Sequence, residues 1–360
     1  MPAPLATPAS PESRAPLLAL LEPGEYLDTF MRHPPIGFTA AWSPSGMPTF
    51  EAPFDLLMTL DEPVRQRIQS LPLFRHWGRL LSWRTRFVGS TVTEYAPLPA
   101  GLSAEALVQE LLRTYGSEHR LLIVKDIAAD SPLLDARENA AVRAFVQALE
   151  LAGFVMVEGN SLGWMSIDFD SIESCIATFS AGRRSDVRRK LRIRKFLQED
   201  ILRTGSAVFQ DEAFIDQLYR LYVNVYEQSD VHFDVLDREF FRQLFQDASN
   251  DGLLFTYRRD GQLIGWKLCY EHAGKLLDKY LGFQYPQSRD NNLYYVSWFH
   301  CLEYALQKGL SHYVAGWTDA RIKRYLGAHL TRTRHAVYVR NPVLRWCFRR
   351  LSHHFEAEPG

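Results

Sequence analysis

The sequence predicts a mixed α/β fold of the α+β kind, and two observations carry that prediction. Apolar, β-prone segments bounded by turn residues alternate with segments whose apolar residues recur every three to four positions, the two periods that separate strand from helix. Between Leu253 and Gly327 the order is more specific: three strand-type segments joined by tight turns lead into one long apolar helix and a further strand. A chain of 360 residues is long for a single hydrophobic core, so two domains are expected.

Bulk composition narrows the field. Hydrophobic content of 46% fits a globular protein, and a formal net charge of −1 gives no global bias toward nucleic acid, so any basic patch is local. Cys175, Cys269, Cys301 and Cys347 are isolated, without a C-x-x-C pair, which argues against zinc and against a disulfide framework and for free thiols in a reducing cytoplasm. His232, His300, His312, His335, His353 and His354 show no metal spacing, so no metal is expected. No export signal stands out, and Leu17–Leu21 is too short to span a bilayer.

Residues 1–20 begin with a Pro/Ala/Ser-rich stretch and read as a disordered tail. Glu22–Met31 forms a short helix broken by His33-Pro34-Pro35, and Phe38–Trp42 and Phe54–Leu60 read as strands. Asp61-Glu62-Pro63 opens a helix over Val64–Leu71. Leu73–Phe87 interleaves Phe74, Trp77, Trp83 and Phe87 with Arg75, Arg79, Arg84 and Arg86; it fits either a groove for an anionic or lipid-like ligand or a helix whose arginines cover an aromatic stripe. Thr91–Tyr95 suggests a strand, Ser103 caps a helix through Leu107 and Leu111, and Leu121–Ile127 is a buried strand. Asp135–Leu151 is an amphipathic helix ended by Gly153, followed by strands at Phe154–Glu158 and Trp164–Phe169.

Ile172–Phe179 begins a helical region, and Arg183–Lys195 holds eight Arg or Lys against one Asp, with Val187 and Leu191 giving one apolar edge. This basic helix, extending over 183–197, fits a grip on tRNA, an anionic membrane or an acidic carrier protein, and equally a solvated face balanced by Glu199 and Asp200; it lacks interleaved aromatics for base stacking. Ala213–Tyr226 is an amphipathic helix, and Asp237 caps the next. Then comes the meander: Leu253–Tyr257, a turn at Asp260-Gly261, Leu263–Tyr270, a turn at His272-Ala273-Gly274, and Leu276–Phe283. Asp290-Asn291-Asn292 offers capping side chains to a helix from Leu293, Gly309 stops it, and His312–Ala315 is the next strand. Lys323, Arg324 and Gly327 fall in a basic loop, Ala336–Val339 closes the sheet, and Val343–Leu351 is a last helix, either packed or lying against lipid.

Four motifs in this order, Asp278-Lys279-Tyr280-Leu281-Gly282-Phe283, Asn292-Leu293-Tyr294-Tyr295, Gly316-Trp317-Thr318 and Lys323-Arg324-Tyr325-Leu326-Gly327, follow the basic Arg183-Arg184-Ser185-Asp186-Val187-Arg188-Arg189-Lys190. Over Gly153–Leu344 the chain thereby resembles the GNAT fold, in the variant of FemAB-like transferases and the bacterial N-acyltransferases related to them. The resemblance implies two tandem GNAT-like lobes, 21–165 and a catalytic 166–350, with 351–360 frayed. It also implies that the acyl group enters a gap where two strands flanking the crossover helix splay apart, here Leu276–Phe283 and His312–Ala315.

Acyl transfer to an amine requires removal of a proton, polarisation of the carbonyl and contact between the two reactants. Strand alternation puts Asp278 and Tyr280 on one face and Lys279 on the other. Asp278 is the candidate base or acceptor-orienting group, or else a member of an ordinary ion pair; Tyr280 is the candidate for carbonyl polarisation, and Asp319 either orients Lys323 or is an alternative base. By the resemblance, Lys323, Arg324 and Gly327 lie near the donor phosphate. A CoA-using GNAT carries a Q/R-x-x-G-x-G/A loop before the crossover helix, and the equivalent Gly282–Asp290 lacks the paired glycines, which counts against acetyl-CoA. Arg289, Asn291 and Asn292 remain phosphate candidates there.

The resulting expectation is an N-acyltransferase with no permanently bound cofactor. It takes acyl-CoA or acyl-carrier protein as co-substrate, and a small-molecule, lipid or cell-envelope amine as acceptor, in the cytoplasm or at the inner face of the membrane. Two rivals stand beside it: a FemAB-like aminoacyl-tRNA-dependent transferase, and a non-enzymatic RNA- or membrane-binding adaptor on a decayed GNAT fold.

Overall fold

The structure is a computed structural model that describes residues 15–55, 66–67, 70–71, 74, 78–128, 130–229, 232–249, 251–317 and 319–351. Residues 1–14 of the expected tail, most of the helix opened by Asp61-Glu62-Pro63, Thr318 and the frayed end beyond residue 351 lie outside these residues, as does part of the aromatic–basic segment before Gly78. The described part of the chain divides into two compact units, each built from discontinuous segments. The first holds the residues up to Leu20, Gly37–Asn160 and the residues from Arg332; the second holds Leu21–Ile36 and Ser161–Thr331. The boundaries read from the sequence, 20/21 and 165/166, treat each lobe as one continuous stretch, whereas Gly24–Arg32 and Arg332–Val339 cross over to the other unit.

In the first unit, β1 (Leu17–Leu18) pairs antiparallel with β5 (Leu98–Pro99), so residues 15–20 are not tail; Ala19 is fully buried and its N–H bonds Glu138 Oε1 at 3.0 Å. The main strands are β2 (Thr39–Trp42), β3 (Pro48–Asp55), β4 (Ser82–Val88) and β6 (Leu121–Ala128). Of the strand expected at Phe54–Leu60, Phe54 and Asp55 belong to β3 and the rest lies outside the described residues. The described end of the aromatic–basic segment is β4 rather than helix: Thr85 and Phe87 turn inward, while Arg84 and Arg86 pair with Glu51 on β3, a period of two. Thr91–Tyr95 forms bends, not a strand, because Ser90 and Thr93 hydroxyls bond the backbone of Thr93 and Tyr95 and displace ladder bonds. The helix expected at Asp135–Leu151 is Ala136–Leu151, opened by a reciprocal capping box between Asp135 and Glu138.

The division between units falls within β7 (Val155–Ser166). Two strands were expected here, with Gly159 to Gly163 between them. The strand is continuous because both glycines make room for a neighbour: a Cβ at Gly159 would lie 2.4 Å from Thr333 Oγ1, and one at Gly163 2.9 Å from Lys323 Cδ.

The second unit holds β8 (Leu197–Arg203), β9 (Gly252–Arg259), β10 (Gln262–His272), β11 (Lys275–Phe283) and β12 (His312–Gly316), ordered β7-β12-β11-β10-β9-β8. The β8–β11 part is an antiparallel meander. Its hairpin turns sit where expected, at Asp260 and Gly261 (φ 51° and 80°) and at Ala273 and Gly274 (φ 45° and 71°), since a two-residue turn matching the strand twist needs positive φ at both positions. The crossover helix Leu293–Gln307 buries Trp298, Phe299 and Leu302 against one sheet face, with Phe255, Leu276 and Tyr313. Helices Gly24–Arg32, Glu212–Gln228 and Arg238–Gln246 cover the other, where Trp266 donates to Leu218 O at 2.9 Å.

Four expectations fail locally in this part of the chain. Asn292 precedes the crossover helix at φ 49° and makes no side-chain cap, because Asn tolerates the left-handed region that the tight entry needs. The expected loop at Lys323 and Arg324 is a short helix, Ala320–Tyr325, entered through Asp319 at φ 57°. The basic helix runs Ala181–Leu191 and gives way to a 3-10 turn, Arg192–Phe196, before β8. The final strand, β13 (His329–Val339), begins well before the expected Ala336.

Candidate active site

β11 and β12 pair in parallel over three positions only: Lys275 with His312, Leu276 with Tyr313 and Leu277 with Val314. Beyond them β11 continues to Phe283 bonded to β10, while β12 runs to Gly316 paired with β7. The two strands therefore fork after Leu277, and each turns a stretch of unpaired backbone edge toward the gap. Such edges seek hydrogen-bond partners, so a fork of this kind presents donors and acceptors to an extended ligand.

A buried polar triad sits at the base of the fork. Lys267 on β10 donates to Asp278 Oδ2, Tyr313 on β12 donates to the same oxygen at 2.6 Å, and Lys267 Nζ lies 3.1 Å from the Tyr313 hydroxyl. Tyr313 is 0%, Lys267 1% and Asp278 9% exposed. Burial pulls the lysine's pKa down, but the carboxylate's charge outweighs it and holds the ammonium above its ordinary value. Burial, reinforced by Asp278, pushes the Tyr313 phenol up, so it stays protonated and able to donate. Lys267 Nζ also lies 5.8 Å from the Tyr294 ring, at the start of the crossover helix, and burial raises that phenol as well.

A β-bulge decides which side chains join this triad. Leu268 pairs with Tyr280 and Cys269 with Asp278, leaving Lys279 as the extra residue. The bulge resets the alternation, so Asp278 and Tyr280 do not share a face as the strand period predicts. Asp278 faces the crossover helix. Lys279 bonds Glu22 at 2.6 Å on the opposite side, and Tyr280 packs there against Phe241, Phe240 and Tyr222 at ring separations of 5.2, 6.0 and 6.1 Å. Nothing in the sequence marks a bulge at Lys279. Lys267 and Tyr313 were likewise missed, although a lysine in the middle of the apolar run Leu263–Tyr270 was a usable signal.

Lys323 reaches the mouth of the same fork. It is 4% exposed, and a Cβ built at Gly316, which sits at φ 77°, would lie 3.6 Å from Asp278 O and 3.8 Å from Lys323 Nζ. Asp319, at the entry to the Lys323 helix, is close enough for its charge to add to the burial that raises the Tyr294 and Tyr285 phenols. Arg324 lines two clefts flanking the basic helix, one of about 500 Å³ and one of about 580 Å³. Gly327 sits against Phe179 in the first of them.

Residues 181–324 match the acetyltransferase (GNAT) domain family. Solved structures extend the likeness over most of the chain. The C-terminal domain of a putative lysylphosphatidylglycerol synthetase from Agrobacterium fabrum is 10% identical with a TM-score of 0.54, covering 90% of this chain and 92% of that one. L-PGS from Bacillus licheniformis is 8% identical with a TM-score of 0.53, covering 93% and 97%. FemX is 13% identical with a TM-score of 0.52, covering 93% and 96%. Residues 181–324 thus carry a GNAT-type domain. No curated protein sequence matches the chain.

Within the GNAT fold, the segment before the crossover helix is where a nucleotide pyrophosphate would be cradled by backbone N–H groups. Here those groups are engaged internally. Ser288 N–H bonds Gln284 O, those of Arg289 and Asp290 both bond Pro286 O, that of Asn291 bonds Gln287 O and that of Asn292 bonds Arg289 O, at 2.7 to 3.1 Å. They close a short helix, Gln287–Asp290, in place of a glycine-rich loop. Asn291 Nδ2 is turned back on Gln287 O, and Arg289 stacks on Tyr285 and bonds Gln228. Arg289, Asn291 and Asn292 thus stand together, but not as a phosphate cradle.

Much of the basic helix is engaged as well. Asp186 bonds Lys190 at 2.8 Å, Arg189 at 2.6 Å and the Tyr325 hydroxyl at 2.9 Å; Lys190 first, then the others, hold its carboxyl down to about 2. Arg188 pairs with Glu173, and Arg194 bridges Glu199 and Glu303 at 2.7 Å each. The aromatics missing from the basic run itself come from its neighbours: Arg183 lies on Phe179 at 3.5 Å and Lys190 on Tyr295 at 3.8 Å. Among the described residues there is no cluster of metal ligands, and no helix is long and apolar enough to cross a membrane.

Proposed function

We propose that the chain is a transferase that moves an aminoacyl group from aminoacyl-tRNA, through the fork between β11 and β12, onto an amine of a small-molecule, lipid or cell-envelope acceptor. The fork with its buried triad supports acyl chemistry. The single observation that favours a tRNA donor over acyl-CoA is the loop before the crossover helix, whose N–H groups are closed into the Gln287–Asp290 turn and have nothing to offer a pyrophosphate. One fold neighbour is described as a putative lysylphosphatidylglycerol synthetase, a name that sets an amino acid on a lipid, and another is FemX.

In the reaction the acceptor nitrogen attacks the ester carbonyl carbon, its N–H proton leaves, the bond to the donor ribose oxygen breaks, and that oxygen takes up a proton. On this reading the strand edges past Leu277 hold the acyl chain. Asp278 orients Tyr313 and Lys267 rather than acting as base, because its Oδ2 is already taken up by these two buried donors. Asp319 is the base, Lys323 stabilises the developing charge on the carbonyl or the leaving oxygen, and Arg324 holds donor phosphate. Tyr280 keeps to the far face of the sheet and shapes the acceptor side.

The test is donor discharge. Purified protein is incubated with tRNA charged with labelled amino acids plus an amine acceptor, in parallel with acyl-CoA and acyl-carrier protein. Faster loss of label from tRNA with transfer to the amine supports the reading. Thiol release from acyl-CoA alone replaces the donor, and tRNA binding without discharge of any donor replaces the enzyme with an RNA-binding adaptor.

A further inference from the structure

Arg183 differs from the other basic residues of its helix. It makes no ion pair or hydrogen bond among the described residues, and its Nε is buried without a partner. Its guanidinium is instead laid on the Phe179 ring at 3.5 Å, with the Tyr325 ring at 5.6 Å. Burial lowers its pKa from the ordinary value, the mark of a partly desolvated cation with no anion beside it. The placement is built into the backbone. At Gly327 (φ 98°) a Cβ would come within 3.1 Å of Phe179, so glycine there lets the ring lie where it supports the guanidinium.

The cleft of about 500 Å³ onto which Arg183 opens carries more that suits an anion. Arg324 and Ser180 line it. Ser180 is the N-cap of the eleven-residue basic helix, yet its side chain makes no capping bond, so the first-turn N–H groups are left to another acceptor. Asp168 lines the same cleft, held by Ser166 Oγ at 3.1 Å, and carboxylates are apt partners for ribose hydroxyls.

We infer that this cleft is a nucleotide-phosphate site for the donor: Arg183, Arg324 and the first turn of the basic helix take the phosphate, and Asp168 a ribose hydroxyl. The inference rests on the transferase reading for the identity of the ligand as donor. The ligand chemistry, a phosphorylated ribonucleotide, is shared by the 3′ end of tRNA and the phosphoadenosine end of CoA.

Binding is measured by fluorescence anisotropy with a labelled RNA hairpin ending in CCA, competed with adenosine 3′,5′-bisphosphate and with inorganic phosphate, on the full chain. R183A is expected to weaken hairpin binding about tenfold or more and to reduce the salt slope by about one. R183K, which keeps the charge and loses the planar fork, falls in between. R192A, an exposed arginine on the same segment, stays within roughly twofold of wild type, as a surface substitution should. Circular dichroism and thermal unfolding confirm that each variant folds; should R183A not fold, the comparison of R183K with R192A decides. Wild-type binding by a folded R183A, or an equal loss in R192A, overturns the site. Tight hairpin binding with weak competition by the bisphosphate identifies tRNA, and tight bisphosphate binding identifies a CoA-type donor; either supports the site. Donor discharge unaltered in R183A rejects the site and leaves the transferase reading intact. Arg183-dependent binding with no discharge of any donor keeps the site and rejects that reading.

Discussion

Tyr313 on β12 and Asp278 on β11 are joined by a 2.6 Å hydrogen bond at the position where their two strands stop pairing. The last ladder contacts are Leu276 with Tyr313 and Leu277 with Val314, so this side-chain bond takes over where the backbone bonds end. It fixes the apex of the fork. Lys267 is the cation paired with that carboxylate, bonded to the same oxygen.

Removing Lys267 is therefore expected to be costly. K267M leaves a buried carboxylate with a hydroxyl donor but no cation, and breaking one side of a buried pair typically costs about 3–5 kcal/mol. Chemical denaturation checks it. The double variant K267M/D278L, which removes both charges, should recover part of that loss, because the uncompensated charge goes with its partner. Lys267 holds its proton more tightly folded than unfolded, so the pair's contribution is intact below the ordinary lysine pKa and declines only as pH rises through the raised folded value. A stability gap between wild type and K267M that closes on acidification from pH 9 to pH 6 would contradict the assignment.

Gly163→Ala tests Lys323 without touching a polar group. The added Cβ would come 2.9 Å from Lys323 Cδ, and the flexible lysine stem yields more easily than the strand. The expected outcome is a small stability change, on the order of 1 kcal/mol, with at least a tenfold fall in the rate of donor discharge, since displacement by about an ångström is enough to disturb a positioned group. Single-turnover kinetics beside thermal unfolding separates the two effects, and discharge at the wild-type rate would remove Lys323 from the reaction.

The meander was legible because Asp260-Gly261 and Ala273-Gly274 announce their turns and the apolar runs between them fix strand length. The fork was legible only through resemblance to a family, because strand pairing across a crossover leaves no local signal. The triad was half legible. Asp278 stands out in an apolar run, but the bulge at Lys279 that sends it toward Lys267 and Tyr313 depends on register against β10, which no periodicity within β11 encodes. The discontinuous units were invisible for a similar reason: Gly24–Arg32 and β13 read as ordinary elements, and only tertiary packing assigns them.

Asp186 gives an acid-range prediction. Its carboxyl is held down to about 2 from 3.8 chiefly by Lys190, with Arg189 and Tyr325 adding to it. A depressed carboxylate stabilises the fold fully above its unfolded pKa and ceases to do so as pH falls through the folded one. The stability difference between wild type and D186N should therefore be level at neutral pH and shrink between about pH 4 and pH 2. Because the group is partly exposed, the difference at neutral pH is modest, about 1 kcal/mol or less. A constant difference across pH 2 to 6, followed by urea denaturation, would show that the Lys190 and Tyr325 contacts do not act through the charge.

His335, in the first unit, also has a depressed pKa, but there the neutral form is the one the fold holds. Its Nδ1 accepts the backbone N–H of Asp126 at 3.0 Å, a bond only the unprotonated nitrogen can make, and Asp126 needs that partner because it sits at φ 55° within β6. Burial lowers the imidazole's pKa, against the pull of the Asp126 carboxylate. A group whose folded pKa is depressed contributes fully above its unfolded value, near 6.5, and loses that contribution as pH falls toward the folded one. Stability is thus expected to decline below about pH 6.5 in wild type and to be flatter over the same range in H335N, whose side-chain oxygen can accept the Asp126 N–H without titrating. Amide exchange at Asp126, followed from pH 7.5 to 5.5, reads the bond directly. Protection that falls with acidity in wild type but not in H335N confirms the neutral tautomer as acceptor, and protection equally insensitive in both rules it out.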